Sequence, residues 1–196
     1  VKVQHDKGRL TLRERIDLLL DKDSFDEIGK VAGGAEYDDE GNLLSLTPAN
    51  FILGFGKIEG QDVIVGGEDF TVKGGSPNAA GLRKSVYTED LAVKHKFPLV
   101  RLHEGGGGSV AGPSKEKKGY GGDPVFARSR FKSVAQTLKE VPVVSAALGP
   151  VAGLPASRFV GSHFRIMVKD NAQILVAGPA VVSRAFGKDF TKEELG

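Results

Sequence analysis

An apolar run, Phe97-Pro98-Leu99-Val100-Arg101-Leu102, ends in His103-Glu104 and then in four consecutive glycines, Gly105 to Gly108. That ending constrains the fold more than any other stretch. The run reads as a strand, and residues without a Cβ let the chain turn sharply and bring peptide N–H groups close to a ligand. Two such donors can hold an oxyanion. A second apolar run, Val141 to Leu148, has the pattern of a strand buried on both faces and leads into Gly149-Pro150-Val151-Ala152-Gly153-Leu154-Pro155. A third junction is expected where a short strand over Glu68 to Lys73 closes on Gly74-Gly75-Ser76-Pro77-Asn78, ahead of a helix spanning about Ala80 to Lys96. Strands that repeatedly meet glycines and then a helix point to an α/β architecture with a largely parallel core sheet. Ligands of such sheets gather at the carboxyl ends of the strands.

The other elements follow from local patterns. Leu10 to Asp21 reads as an amphipathic helix with Thr11 as N-cap, and its Arg13, Glu14 and Arg15 are assigned to solvent. Gly33 to Asn50 reads as an irregular loop, because glycine, acidic residues and Pro48 dominate it. Phe51 to Gly66 holds two β-prone runs around a turn at Glu59 to Asp62, a hairpin pattern. In the helix after Asn78, Leu82, Val86 and Val93, joined by Leu91 and Ala92, form the expected packed side, leaving Lys84 and Glu89 for the wet face. Ala111 to Asp123 reads as an exposed loop, and its Lys115, Lys117 and Lys118 as plain solubility. A helix is expected over Pro124 to Lys139, strands over Phe164 to Val168 and Gln173 to Ala177, and a helix from Gly178-Pro179 with Val181, Val182 and Ala185 inside. Thr191 to Glu194 has the capping-box pattern.

Composition removes several function classes. The 27 basic and 25 acidic residues leave a formal charge of +2, which argues neither for nucleic acid nor for an anionic membrane, and most charge is expected on solvated surface. There is no cysteine, hence no disulfide, thiol nucleophile or zinc ribbon. No apolar stretch reaches the ~20 residues that span a bilayer. Arg83-Lys84-Ser85 lacks the glycine spacing of a phosphate-binding Walker loop. His103 and Glu104 are adjacent, so a strand would point them to opposite faces and they should not form a catalytic dyad. No metal site is expected.

Arg13 to Asp21, Asp69 to Ser76, Gly149 to Gly153, and Val168-Lys169-Asp170 through Ala177-Gly178-Pro179 together resemble the carboxyltransferase (beta) subunit of biotin-dependent acyl-CoA carboxylases. The propionyl-CoA and methylcrotonyl-CoA carboxylases are the nearest types, and the match runs over the N-terminal half of such a subunit. The resemblance implies a ClpP/crotonase-like spiral of ββα units, with residues 1–196 as one acyl-CoA carboxyltransferase N-terminal domain whose C-terminal partner domain is absent. It implies transfer of a carboxyl group from carboxybiotin to the α- or vinylogous carbon of an acyl-CoA through an oxyanion-stabilised enolate, with this chain as the acyl-CoA half of the site and inactive alone. Biotin would arrive on a separate carrier. The implied partners are an acyl-CoA substrate, biotin carboxylase and carrier subunits, the chain's own C-terminal domain and neighbouring subunits of a homo-hexamer, without nucleic acid or membrane. The implied location is the bacterial cytoplasm or the mitochondrial matrix.

Carried over by motif, the family's Asp-Ser-Gly-Gly-Ala falls on Glu104 to Gly108 and gives Gly106 and Gly107 the acyl-oxyanion role, with Gly105 beside the substrate. The family's Cys-Ala-Gly-Gly-Ala falls on Val151 to Pro155, which adds Gly153 but replaces a glycine by Leu154 and an amide donor by Pro155. Gly74, Gly75 and Ser76 match fully and are implied to lie beside the CoA arm. The same resemblance leaves two alternatives open. One is the carboxyltransferase of a sodium-pumping acyl-CoA decarboxylase, and the other is a catalytically silent assembly homologue.

Overall fold

The computed structural model describes residues 1–76, 78–106 and 129–196. Helix α1 (Lys2–His5) precedes α2 (Leu12–Leu19), which Thr11 caps as its sequence implies. The Thr11 side chain accepts the Glu14 N–H, and the Thr11 N–H donates to the Glu14 carboxylate at 2.7 Å. This reciprocal box satisfies two amides that the helix start would otherwise leave unpaired. The Thr11 N–H, with the His5 side chain, holds the Glu14 carboxyl down to about 2.

Strand β1 (Asp26–Glu27) is followed by a separate hairpin, β2 (Gly33–Tyr37) with β3 (Leu43–Pro48). Then come β4 (Phe51–Ile58) and β5 (Gln61–Glu68), antiparallel from Phe51↔Glu68 to Ile58↔Gln61. Their turn places Glu59 at φ 50° and Gly60 at φ 79°, the left-handed pair that matches the twist of a tight hairpin. Asp21 accepts both turn amides, at 2.9 and 2.8 Å. A 3₁₀ turn (Lys73–Gly75) and α3 (Ala79–His95) lead to β6 (Leu99–Gly105); α4 (Arg130–Glu140) leads to β7 (Val143–Ala152), and α5 (Leu154–Val160) follows. The chain continues through β8 (Phe164–Met167), β9 (Gln173–Leu175) and α6 (Pro179–Phe186). Among the described residues the main sheet has seven strands in the order β1-β4-β5-β6-β7-β8, with β9 also on β7. From β5 to β8 each neighbouring pair is parallel.

Helices cover both faces, so the central strands β5, β6 and β7 are buried along most of their length. On one face Leu12, Ile16 and Leu20 pack on Ile52, Val63, Val65 and Leu102. On the other, Leu91 and Ala92 of α3 pack on Leu53, Ile64, Leu99 and Val143. Val63, Ile64 and Val65 thus point alternately up and down, as strand geometry requires. Leu53 and Ile64 are both 0 % exposed, and burial of each stabilises the fold by about 1.5–3 kcal/mol.

Several expectations are corrected. Gly33 to Asn50 is a hairpin and not a loop: its strands are exposed on nearly every residue, so their sequence carries no buried alternation to read. Only Glu68 of the expected Glu68–Lys73 strand is β; Asp69 accepts the Thr71 N–H at 2.9 Å and bends the chain into the 3₁₀ turn. In α3 the buried face runs through Lys84, Ser85, Thr88 and Glu89, while Leu82, Val86 and Val93 are half-buried. Buried charge is therefore a feature of this core. The strands expected over Phe164 to Val168 and Gln173 to Ala177 are present as β8 and β9, two successive pieces lying parallel to β7. Helix α6 buries no residue, and Val181 and Ala185 are exposed. Residues 107–128, including the lysine-rich stretch and the start of the expected Pro124 helix, lie outside the described residues.

Candidate functional site

Parallel β5, β6 and β7 run side by side, so their carboxyl ends, and the glycines after or at those ends, share one edge of the sheet. After β5, Lys73, Gly74 and Gly75 take φ of 52°, 62° and 69° in succession. This left-handed path folds the chain back onto the end of β6. A Cβ on Gly75 would stand 2.6 Å from the Glu104 carbonyl oxygen and 2.8 Å from Gly105 Cα, and a Cβ on Gly105 would stand 2.9 Å from Gly75 Cα. Gly105 also has φ 152°. Only glycine fits at either position, because the two backbones touch.

Asn50, 2 % exposed, fastens the next turn. Its Nδ2 donates to the Ser76 carbonyl, and its Oδ1 accepts the Asn78 N–H at 3.1 Å. Asn78 in turn caps α3 through the Gly81 N–H at 2.7 Å. At the end of β7, Gly153 takes φ 68° and ψ −130° and starts α5, which has Pro155 in its first turn. A narrow crevice of about 20 Å³ lies between these turns, lined by Asn50, Phe51, Glu68, Gly75, Leu154 and Arg158 among others.

The predicted residues divide by what their amides do. Backbone hydrogen bonds take the N–H of Gly75 (to Val72 O, 3.1 Å), Ser76 (to Lys73 O, 3.2 Å) and Gly153 (to Leu175 O, 3.1 Å). Gly153 is therefore corrected as a free oxyanion donor: its N–H is spent in tying β7 to β9. Among the described residues no backbone bond claims the N–H of Gly106 or Gly74. Gly107 lies outside the described residues. Gly75 lines the crevice, and Gly105 lies against Gly75 from the β6 side.

His103 and Glu104 point to opposite faces, as adjacent strand residues must. The His103 Nδ1 lies 3.0 Å from Glu68 Oε2 and its Nε2 3.5 Å from Ser145 Oγ, which is 2.6 Å from Ser162 Oγ. On the other face Glu104, 1 % exposed, meets Arg15 at 2.5 Å and Arg9 at 3.4 Å. Arg15 is thus a partner of the β6 turn and not a solvated residue, against the reading of its helix. A Cβ on Gly149 would fall 2.6 Å from Glu104 Oε1, so that glycine makes room for the carboxylate.

Beside His103 stands a second buried set that sequence reasoning missed. Glu89 Oε1 accepts from Arg101 at 2.5 Å and from Arg158 Nε at 2.9 Å, and Arg158 Nη1 donates to Ser85 at 3.1 Å. The available signal was Arg101 itself, a cation inside an apolar strand run. Burial pushes the Arg101 guanidinium down to about 10 against the pull of Glu89. Burial pushes the Glu68 carboxyl up, but the charge and hydrogen bond of His103, with Arg158 behind, bring it below its ordinary value. Neither buried carboxylate of the β5 and β6 ends is left over as a base: Glu68 is given to His103 and Glu104 to arginines.

Residues 3–196 match the carboxyl transferase domain family. The propionyl-CoA carboxylase beta chain of Roseobacter denitrificans is 34 % identical over 100 % of this chain and 37 % of its own length. The methylmalonyl-CoA decarboxylase subunit alpha of Veillonella parvula is 31 % identical, with the same coverage of 100 % and 37 %. Among solved structures, the transcarboxylase 12S subunit with methylmalonyl-coenzyme A and methylmalonic acid bound superposes with a TM-score of 0.74 at 28 % identity, covering 100 % of this chain and 37 % of that one. The chain spans little over a third of the length of these relatives. The fold they share is the crotonase-like one: a strand pair and helix, β4-β5-α3, continued by further strand and helix steps.

Proposed function

This chain belongs to the carboxyl transferase domain family, and we propose that it forms the acyl-CoA half of a carboxyltransferase site, at the carboxyl ends of β5, β6 and β7. The observation that carries the reading is the meeting of Gly75 with Gly105 at that edge, next to a Gly106 N–H that no described residue claims. In the proposed reaction the α-carbon of a CoA thioester loses a proton, its carbonyl oxygen takes up the negative charge as an enolate, and the carbon then bonds to the carboxyl carbon as the carboxyl–nitrogen bond of the donor breaks.

The chain's own part is electrostatic. A peptide N–H at Gly106 is a fixed dipole that needs no protonation state and is in place before the charge appears; one such donor is worth about 2.7–4 kcal/mol of transition-state stabilisation. Gly74, Gly75 and Ser76 would bring bare backbone beside the CoA arm, with Gly105 packed behind. The proton has no taker here, because Glu68 is hydrogen-bonded to His103 and Glu104 is paired with Arg15 and Arg9. Such a site fits a donor that brings its own base, and carboxybiotin on a separate carrier, delivered by a further domain or a neighbouring subunit in a homo-hexamer, meets that requirement. No helix among the described residues is long and apolar enough to cross a membrane, and the bacterial cytoplasm or the mitochondrial matrix suits a soluble CoA thioester.

Calorimetric titration of the full-length subunit with propionyl-CoA tests the reading. Saturable binding that competes with free CoA supports it, and no binding of any short acyl-CoA refutes it. The similarity to a decarboxylase subunit supports a second reading, in which the same site runs the transfer in reverse. The partner encoded with it separates the two: a coding sequence beside that of a biotin carboxylase favours the forward direction, and one beside that of a membrane decarboxylase subunit favours the reverse.

A further inference from the structure

The transfer proposed above leaves the buried pair Glu68–His103 without a task. Its place in the sheet supplies one. The β5–β6 ladder runs Ile64↔Leu99, Val65↔Val100, Gly66↔Arg101, Gly67↔Leu102 and then stops. The next partners in register are Glu68 and His103, and they are joined by side chains instead, Nδ1 to Oε2 at 3.0 Å. On its other side the β6–β7 ladder also shifts, between His103 and Gly105. His103 therefore sits one step beyond the last β5–β6 rung and is the last residue, opposite Ala147, before the β6–β7 register shifts, two residues ahead of Gly105, while Glu68 immediately precedes the turn that carries Gly75 back onto Gly105.

We propose that Glu68–His103 is a positioning pair: it extends the β5–β6 ladder by one side-chain rung, holds Gly75 against Gly105, and so sets the direction of the Gly106 N–H. The contact it governs has no slack, since a Cβ on either glycine would come within 3 Å of the other's backbone. Packed interiors transmit displacements of that size. A nucleophilic role for the chain Glu68–His103–Ser145 is ruled out by burial, because Ser145 is 0 % exposed and its hydroxyl is engaged with Ser162.

The pair is also sensitive to acid. Glu68 is faced by His103 from β6 and by Arg158 from α5, with Glu89 of α3 and Arg101 of β6 behind Arg158; His103 is faced by Ser145 of β7 and the edge of Phe159 of α5. With its folded pKa below the ordinary carboxylate value, Glu68 keeps the rung at neutral pH, and the rung is lost as pH falls through that lowered value.

Only the kinetic arm of the test rests on the carboxyltransferase reading. In the full-length subunit, Glu68→Leu with His103→Leu removes the rung without stranding a buried charge. Amide exchange over residues 72–76 and 102–106 should rise together, at least tenfold, with α2 unchanged, and kcat should fall at least tenfold with the acyl-CoA KM within twofold. Glu68→Gln, which keeps the shape and a hydrogen bond, should recover most of the turnover lost in the double variant. Corrected for intrinsic rates, it should also abolish the rise in 102–106 exchange that the unaltered protein shows on acidification, a readout that stands if the double variant does not fold. Wild-type exchange in both segments of a folded double variant, a rise in one alone, or an unchanged acid response in Glu68→Gln overturns the proposal. If the unaltered subunit transfers no carboxyl group, the reading of function fails while the exchange arm still decides the rung.

Discussion

The turns that end β6 and β7 lie one register step apart, Gly105 opposite Val151, yet they are built for different ends. The β7 turn spends its glycine amide on Leu175 O and passes straight into α5, whose Pro155 has no amide to offer. The β6 turn is braced by buried side-chain pairs on both faces, Glu68 hydrogen-bonded to His103 on one and Arg9 and Arg15 ion-paired with Glu104 on the other, and the Gly106 N–H stays outside the backbone bonding of the described residues. A glycine at a strand end is thus a donor only when its amide is left over. Gly153 is needed for its left-handed φ of 68°; in the proposed site Gly106 is needed for its N–H.

That contrast can be broken from either side. The largest effect is expected from Glu104→Ala, which strands two arginines that are 12 % and 18 % exposed. Removing one partner of a buried ion pair costs about 3–5 kcal/mol, and the low end, about 3 kcal/mol, is expected here because both arginines can swing toward water. Denaturant titration measures this, and amide exchange should place the loosening at β6 and α2 rather than at β7. Gly106→Pro in the full-length subunit deletes the donor alone: kcat should fall about 100- to 1,000-fold, with the melting temperature nearly unchanged. Gly153→Ala should do the opposite, costing about 1–2 kcal/mol in stability for a side chain forced to positive φ, while kcat of the folded protein stays within a few-fold. The smallest effect is that of Thr11→Ala, which removes the α2 cap and costs about 1 kcal/mol. Because α2 carries Arg15, the loss should loosen the β6 turn and spare the β7 turn, as exchange at 102–106 and 149–153 would report. Equal responses at the two turns would erase the distinction.

Much of the scaffold was legible because its signals are local. The capping box at Thr11 and Glu14, the apolar runs of β6 and β7 and the β4–β5 hairpin each follow from a few neighbouring residues. The β2–β3 hairpin was not legible, since strands exposed on both faces leave no periodic imprint. Nor was the buried face of α3: Lys84 and Glu89 look like surface residues until Gly29 O, Arg101 and Arg158, which come from distant segments, are brought to meet them. For the candidate site, sequence located the glycines but not the use of their amides. Whether Gly153 has a free N–H depends on β9, twenty residues downstream, coming alongside β7.

The central claim is that the Gly106 amide faces the thioester oxygen, and a structure of the full-length subunit with a bound, non-reacting acyl-CoA analogue tests it most directly. The account predicts the analogue's carbonyl oxygen at about 2.7–3.1 Å from Gly106 N, with the CoA arm passing Gly75. A carbonyl oxygen resting on donors elsewhere, with the Gly106 N–H turned into an internal hydrogen bond, would contradict it.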